Sequence, residues 1–386
     1  NFLKHKWPNF FNTLKYLKKM KDDFILENIF NTSYEKHALL SYIKTPFLTK
    51  NQNTHTNHIE AKTWAEILNE FGYTVDVVEY DSPKIYPLQK YDLLCGFGNA
   101  FDNSFEHKTK KTLKRILYST GFNHIQLNYL SLKRTKEVFE KKGVWLINSA
   151  RYVKNAWPTQ IHLSDAIISI GNQEVVNTYD KNLSKNTFML PSPISVFHDF
   201  NKILKYKSKN SRKNFLWFGS SGFIHKGLDL LLEFFSSRND LTLHLCGMIG
   251  EESFQNTYKD ELSANNIINH GFIDIKSQSY QRILKECSYV IFPSASEGGS
   301  PSVLSTIVNG ALYPIVSVNT SFEIPNKTFI KDINIDEISK AIKNVEKINL
   351  IELNKLCTEN AEFALKFHNK KNYKKVLKEA IIKILN

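Results

Sequence analysis

Short apolar runs alternate with amphipathic segments along most of the chain. An apolar run from Ala38 to Ile43 is followed by a polar loop and then by a segment, about Ile59 to Phe71, whose apolar residues recur every three or four positions. The apolar run predicts a buried strand, and the spacing of the later segment predicts a helix. A second apolar run, TVDVVEY, follows that helix directly. A strand, a helix and another strand in this order are typical of a parallel sheet.

The same alternation continues through two halves of the chain. Strands in the first half are predicted at 38–43, 74–80, 91–98, 115–121, 165–171 and 187–193, with helices near 59–71, 104–114, 130–142 and 173–179. The pattern restarts at residue 214, with strands predicted at 215–218, 241–248, 266–273, 289–295 and 313–318. Helices in this half are predicted from 228 onwards, near 253–264, 279–287 and 301–310, and over the tail 350–385. We therefore predict an α/β fold with two doubly wound parallel sheets.

A chain of 386 residues is too long for one ordinary core, so a division into domains is expected. The predicted segments are a basic amphipathic N-terminal segment (1–37), an N-terminal Rossmann-like domain (38–197), a polar, lysine-rich linker (198–213), a C-terminal Rossmann-like domain (214–365) and a C-terminal helix (366–386) that packs back on the N-terminal domain. Two similar α/β halves facing across a cleft favour a ligand that contacts both. The first segment is compatible with a membrane-surface helix or with a helix packed on the body of the protein.

The formal charge of +13 is weak evidence for a nucleic-acid partner. Only six of the 51 basic residues are Arg, and Lys is the poorer residue for bidentate recognition of bases or phosphates. We therefore expect no nucleic-acid binding and only a weak attraction to anionic lipid. The four Cys are scattered without metal-ligand spacing, which favours a reducing compartment and no bound metal. No apolar run reaches eighteen residues, so the expected location is cytoplasmic, peripheral on the inner face of the cell membrane.

A loop of small residues follows the first predicted strand of the second half. It holds Gly219, Ser220, Ser221 and Gly222, and Lys226 stands just before the next helix. Backbone N–H groups, a helix N-terminus and a lysine in this arrangement bind phosphate. The alternative for the lysine is a solvated helix-start residue, but the helix dipole disfavours a free cation at that position. The stretch therefore predicts a phosphate site.

A second small-residue loop, SASEGGSP, follows a later strand of the same half and carries one carboxylate, Glu297. The alternative for this residue is a helix N-terminal carboxylate stabilised by the dipole. Its small neighbours Gly298, Gly299 and Ser300 leave room for a sugar. A third loop, starting at Gly247, is expected at the same edge of the sheet. The first half has no GxGxxG sequence, which removes the main support for a dinucleotide site.

The stretches FLWFGSSGFIHKGLDLLLEFF and PSASEGGSPSVLSTIVNGALYPIVS resemble the donor-binding half of retaining glycosyltransferases of GT-B architecture, in the family usually numbered four, the group 1 glycosyltransferases. The resemblance is strong over 214–318 and extends over nearly all of 38–386. It implies an N-terminal acceptor domain, a C-terminal donor domain and transfer with retention from a UDP- or GDP-sugar, without metal or other cofactor. The implied acceptors are a saccharide, a lipid-linked oligosaccharide or a surface polysaccharide.

The resemblance also implies roles for individual residues. The family's diphosphate lysine corresponds to Lys226, and the first of its two glutamates, which touches the donor sugar, corresponds to Glu297. The second glutamate, on the nucleotide ribose, is replaced by Ser305, and the family's arginine after the first loop glycine is replaced by Ser220. The predicted catalytic residues are Glu297, Lys226 and His124, and the predicted donor-binding residues are Gly219, Ser220, Ser221, Gly222, Lys226, Gly247, Glu297, Gly298, Gly299, Ser300, Ser302 and Ser305.

His124 lies in YSTGFNH, which resembles the segment where relatives carry a histidine facing the donor sugar. A structural hydrogen-bonding role is its alternative. His55 and His58, in the loop after the first strand, are competing candidates for acceptor binding. Two other readings of the whole chain stay open. One is a non-catalytic GT-B subunit that has lost the ribose carboxylate, and the other is a basic membrane- or polymer-binding protein.

Overall fold

The computed structural model describes residues 24–49, 55–155, 157–179 and 186–386. The predicted N-terminal amphipathic segment falls mainly on residues 1–23, which lie outside the described residues. The described chain forms two α/β domains, each built on a six-stranded parallel sheet, which confirms the predicted fold class. None of its helices is long and apolar enough to cross a lipid bilayer, a statement that covers only these ranges.

The first sheet has the order β2-β1-β3-β4-β5-β6. Its strands are β1 (Lys36–Tyr42), β2 (Tyr73–Glu79), β3 (Leu93–Gly96), β4 (Lys114–Ser119), β5 (Ala166–Ile170) and β6 (Thr187–Leu190). The helices of this domain are α1 (Thr45–Leu48), α2 (Thr56–Glu70), α3 (Asn99–Glu106), α4 (His124–Lys142), α5 (Pro158–Leu163) and α6 (Gln173–Val176). Most strand residues are buried on both faces because helices cover both sides of the sheet.

The second sheet has the order β12-β11-β10-β7-β8-β9. Its strands are β7 (Asn214–Phe218), β8 (Thr242–Cys246), β9 (Ile267–Asn269), β10 (Tyr289–Phe292), β11 (Tyr313–Ser317) and β12 (Thr328–Ile330). The helices are α7 (Phe200–Lys205), α8 (Leu228–Ser236), α9 (Glu252–Thr257), α10 (Lys259–Leu262), α11 (Gln278–Glu286), α12 (Pro301–Gly310), α13 (Ile335–Glu346) and α14 (Leu350–Phe367). Strand β12 and helix α13 were not predicted.

The segment 198–213, predicted as a linker, instead contains helix α7 and belongs to the second domain. Asp199 caps this helix by accepting a hydrogen bond from the backbone N–H of Asn201. Phe200 and Ile203, three positions apart, are buried in the core of the second domain. The surrounding lysines obscured this short apolar face. A second correction concerns α3, predicted at 104–114, which ends before the lysine run because its buried residues lie earlier, at Ala100 and Phe101.

The final helix, α15 (Lys370–Leu385), leaves the second domain and packs against the first. Tyr373, Leu377 and Ile381 are buried among the strands and helices of the first core. The chain therefore passes between the domains twice, before α7 and after α14. The two passages are bonded to each other, since the N–H of Ile194 donates to the carbonyl of His368 at 2.8 Å.

Helix α4 of the first domain lies along α8 and α10 of the second. Arg134 donates to Asp229 at 2.6 Å, and their side chains are 7% and 3% exposed. Arg134 also pairs with Glu137, and Lys142 pairs with Glu261 at 2.9 Å. These ion pairs fix one side of the interface between the domains. The strand ends of the two sheets face each other across this interface.

Candidate active site

The loops that follow β7 and β10 leave the second sheet side by side. These strands pair with each other in parallel, and the strand order reverses between them, because β8 lies on one side and β11 on the other. Ligands of open α/β sheets bind at such a switch point, outside the carboxyl ends of the strands. The two loops are the ones that the sequence singled out, residues 219–227 and 293–300.

The first loop presents backbone donors at the surface of the cleft. Its base is held by the N–H of Gly219, which donates to Cys246 at 3.0 Å, and its end by Lys226, whose N–H donates to Gly222 at 2.9 Å. A Cβ on Gly247 would lie 2.0 Å from the Gly219 carbonyl, so only glycine allows this close approach. Within the described ranges, no group accepts a hydrogen bond from the N–H groups of residues 220–223. This loop therefore has donors available for an anion.

Lys226 lies at the end of this loop, with only 7% of the residue exposed. Its Nζ donates to the hydroxyl and carbonyl of Ser220 at 3.1 and 3.4 Å. Among the described residues, no carboxylate lies within ion-pair distance of the ammonium group. Burial lowers the pKa of Lys226 to about 8, although the charge of Glu297 opposes this change. The lysine is thus a buried cation without an ion-pair partner.

Glu297 lies in the second loop and is 8% exposed. Its carboxylate accepts hydrogen bonds from Arg151 at 2.8 Å and from the Ser294 hydroxyl at 3.2 Å. Burial acts to raise the pKa of this carboxyl, but the positive charges of Arg151 and Lys226 outweigh burial and lower it. The carboxylate is therefore ionised at neutral pH. Its position is fixed by hydrogen bonds on both sides of the carboxyl group.

Arg151 was not identified from the sequence as a site residue. It belongs to the first domain, just after the 3₁₀ turn Ile147–Ser149, and reaches across to the carboxylate of Glu297. Its backbone N–H donates to the hydroxyl of Ser131 at 2.9 Å, which anchors it to helix α4. The sequence feature that could have singled out Arg151 is its rarity, since it is one of only six arginines in a lysine-rich chain.

His225 lies beneath both loops and is completely buried. Its Nε2 is 2.7 Å from the carbonyl of Ser296, so this nitrogen carries a proton and donates it. Burial lowers the pKa of His225 to about 4, with a smaller contribution from Arg151, while Glu297 acts to raise it. The imidazole is therefore neutral at pH 7 and holds the two loops together as a hydrogen-bond donor.

Gly298 and Gly299 form the contact between the Glu297 loop and the first domain. A Cβ on Gly298 would lie 1.8 Å from the carbonyl oxygen of Thr120, and a Cβ on Gly299 would lie 2.7 Å from Cβ of Ser192. The space beside these glycines, expected from the sequence to accommodate a sugar, is thus occupied by the first domain. Their lack of side chains allows the strand ends of the two sheets to meet.

The serines after Glu297 lie at the start of α12: Ser300 immediately precedes the helix, and Ser302 and Ser305 are in its first two turns. Ser300, with φ of 40°, donates from its hydroxyl to the carbonyl of Thr320 at 2.7 Å. Ser302 is partly buried in the first turn. Ser305, one turn further, is buried, with its hydroxyl 3.4 Å from that of Tyr280. At this position the side chain contacts the protein itself, and its role in donor binding stays a prediction.

His124 begins helix α4 at the end of the first sheet, with its ring 5.8 Å from that of Trp157. Both rings line a pocket of the first domain whose other walls are Phe97, Leu117, Tyr118, Ser119, Thr120, Gln160, Ile161 and Tyr179. Since Thr120 also contacts Gly298, this pocket adjoins the Glu297 loop. His55 caps α2 by accepting from the N–H of Asn57, and His58 lies in the first turn of that helix. Neither histidine is among the residues that line this pocket.

The structure thus brings the first loop, Lys226 and Glu297 together, and places His124 in the facing domain. Residues 199–363 match the model of the family described as glycosyl transferases group 1. A search of curated protein sequences found no match.

Solved structures with a similar fold cover 89–91% of this chain. HepE from Anabaena, in complex with UDP and glucose, has a TM-score of 0.56 at 12% identity, covering 91% of this chain and 100% of its own. Sucrose-phosphate synthase from Thermosynechococcus elongatus has a TM-score of 0.57 at 13% identity, covering 91% and 99%. WaaG, described as a glycosyltransferase involved in lipopolysaccharide biosynthesis, has a TM-score of 0.52 at 10% identity, covering 89% and 98%. The chain therefore has the two-domain GT-B fold, and its second domain, residues 199–363, matches the group 1 glycosyl transferase family.

Proposed function

We propose that the protein is a retaining glycosyltransferase that moves a sugar from a UDP- or GDP-sugar to a saccharide, lipid-linked or surface-polysaccharide acceptor. The observation that carries this proposal is the arrangement at the switch point of the second sheet. There, a loop with unused N–H groups and the buried cation of Lys226 lie beside the ionised carboxylate of Glu297. The match of this domain to the glycosyl transferase family supports the same reading.

A diphosphate is the ligand that this loop suits best. Burial disfavours the charged form of Lys226, and an anion bound against its ammonium group would reverse that effect. In glycosyl transfer the bond between the anomeric carbon and the diphosphate oxygen breaks, and negative charge develops on that oxygen. A fixed cation and fixed N–H donors stabilise such charge without rearranging. Lys226→Ala is therefore expected to lower turnover by roughly two to three orders of magnitude.

Glu297 and the first domain supply the rest of the proposed site. An ionised carboxylate accepts hydrogen bonds from sugar hydroxyl groups, and we assign this role to Glu297. The rings of Trp157 and His124 beside it mark the proposed acceptor region, because aromatic rings pack well against the faces of sugar rings. The acceptor hydroxyl then attacks from the face that the diphosphate leaves, and its proton passes to the departing diphosphate oxygen. Attack on this face retains the configuration at the anomeric carbon.

Solved relatives support the choice of donor. HepE was crystallised with UDP-glucose and with UDP, and each of these structures covers 90% of this chain. We extend the proposal to a reaction without a bound metal, in which protein cations balance the diphosphate charge. We also propose a cytoplasmic location with weak attachment to anionic membrane, supported by the formal charge of +13.

The test begins with the melting temperature of the protein in UDP, GDP and ADP, because a ligand that binds the native state stabilises it by mass action. We expect one diphosphate to raise the melting temperature of the wild type and to have little effect on Lys226→Met. The sugar derivatives of that nucleotide are then offered with saccharide acceptors, and NMR of the product gives the anomeric configuration.

Equal stabilisation of the wild type and Lys226→Met, or none by any diphosphate, would contradict the proposal. An inverted product would remove the retaining mechanism alone. Tight binding without hydrolysis or transfer would identify a non-catalytic subunit. Ser305 supports this non-catalytic alternative. It stands where the group 1 glycosyltransferases that the sequence resembles carry a carboxylate, and its hydroxyl contacts Tyr280.

A further inference from the structure

Arg151 brings a positive charge from the first domain to the loops of the second. Its Nη1 donates to the Glu297 carboxylate at 2.8 Å, across a separation of 146 residues in the chain. Its side chain is 43% exposed, so it lies at the mouth of the cleft and not within either core. The anchoring bond from its N–H to Ser131 fixes where this charge enters the site.

The backbone of Arg151 also lies against the phosphate loop itself. A Cβ on Gly222 would be 3.3 Å from Cβ of Arg151 and 3.9 Å from its Cα. Gly222 belongs to the stretch, residues 220–223, whose N–H groups have no acceptor within the described ranges. Arg151 is close enough to Lys226 for its charge to lower the pKa of that lysine, in addition to the larger effect of burial. The two cations therefore flank one loop.

Most of the hydrogen-bonding capacity of this guanidinium is unused. Arginine has five N–H donors in a planar group that matches phosphate oxygens in pairs. In the part of the chain that the structure describes, its only side-chain hydrogen bond is the one from Nη1 to Glu297. The remaining donors are available to a second anion beside that carboxylate.

We propose that Arg151 is the second cation of the donor diphosphate site, supplied by the first domain. This inference rests on the proposed function, and it assigns the diphosphate two cations from different domains. Lys226 binds it from within the loop, and Arg151 binds it from across the cleft. Donor binding then favours the arrangement in which the domains are in contact, since only this arrangement brings both charges to one ligand.

The first experiment measures binding of UDP, GDP and the corresponding nucleoside monophosphates by isothermal titration calorimetry. Arg151→Met keeps an unbranched apolar side chain in place of the arginine stem and removes the guanidinium with its charge. We expect it to weaken diphosphate binding roughly 10- to 100-fold, because hydrogen bonds to charged groups are among the strongest. Arg151→Lys should restore part of the loss. Lys154→Met, an exposed lysine three residues away, is the matched control and should change binding less than about twofold.

The second experiment separates contact with the diphosphate from an effect through Glu297. Removing Arg151 leaves the Glu297 carboxylate without its ion-pair partner, and that negative charge alone would repel a diphosphate. The same substitution is therefore made in a Glu297→Gln background, where no such charge remains. We expect Arg151→Met to weaken diphosphate binding at least tenfold there too, and to weaken monophosphate binding much less. Disappearance of the effect in this background would overturn the proposal.

Lys226→Met distinguishes failure of this inference from failure of the proposed function. If Lys226→Met weakens diphosphate binding and Arg151→Met does not, the donor site stands and the role of Arg151 is refuted. If wild-type protein binds no nucleoside diphosphate, both proposals fail together. Melting temperatures of all variants show that each is folded before it is titrated.

Discussion

Lys226→Met should make the ligand-free protein more stable. Burial lowers the pKa of this lysine from its ordinary value of 10.5 to about 8. Each pKa difference of one corresponds to about 1.36 kcal/mol, so the charged form costs about 3 kcal/mol in the folded state at neutral pH. Methionine fills similar space without a charge. Loss of the bond to Ser220 offsets part of the gain, which leaves roughly 1–3 kcal/mol.

The gain in stability from Lys226→Met decreases as the pH rises. Between about pH 8 and 10.5 the unfolded lysine binds a proton that the folded lysine has lost. The free energy of unfolding of the wild type therefore rises with pH through this window. Methionine does not titrate, so the advantage of Lys226→Met is largest at pH 7 and shrinks as the pH approaches 10.5.

Differential scanning calorimetry at pH 7 and pH 9.5 measures both effects. A gain of 1 kcal/mol raises the melting temperature of a domain of this size by about 2–4 °C. Lys154→Met, which removes an exposed lysine of the first domain, is the control and should leave the melting temperature within about 1 °C. A lower melting temperature for Lys226→Met at pH 7, or an equal gain at both pH values, would show that Lys226 is not strained by burial.

Two further predictions concern the contacts between the domains. Gly298→Ala should lower transferase kcat/KM at least tenfold, since its methyl carbon would lie 1.8 Å from the Thr120 carbonyl oxygen. The control Gly250→Ala, which has no atom within 4 Å of the new carbon, should keep wild-type kcat/KM. Equal activities of the two variants would refute this reasoning. Asp229→Ala should lower the free energy of unfolding, measured in urea, by roughly 2–4 kcal/mol, because Arg134 stays buried with one fewer ion-pair partner. A loss below about 0.5 kcal/mol would contradict this prediction.

The parts of the site that were predictable lie within single short stretches. Strand β7, the loop with its small residues, Lys226 and helix α8 are contiguous, so apolar periodicity and the positions of glycines indicate all four. Glu297 is likewise the single carboxylate of its loop. Strand order then brings the two loops together, and a doubly wound topology was predicted from the alternation of elements.

Arg151 was not predictable in the same way, because its contact with Glu297 joins residues far apart in the chain. No local pattern indicates which exposed arginine of one domain meets a loop of the other. The glycines after Glu297 show a different limit. A missing side chain leaves room equally for a ligand or for another backbone, and the sequence alone does not distinguish the two. In the structure the backbone around Thr120 takes this space beside Gly298.

The position of helix α15 has a consequence for the order in which the protein is made. The first domain buries Tyr373, Leu377 and Ile381 in its core, and these residues follow the whole second domain in the chain. Domains generally fold as units, the N-terminal one first, as the chain emerges. Here the second domain has all of its strands and helices before the first has its final helix. Part of the apolar surface of the first domain therefore stays uncovered until α15 has been synthesised, after the whole of the second domain.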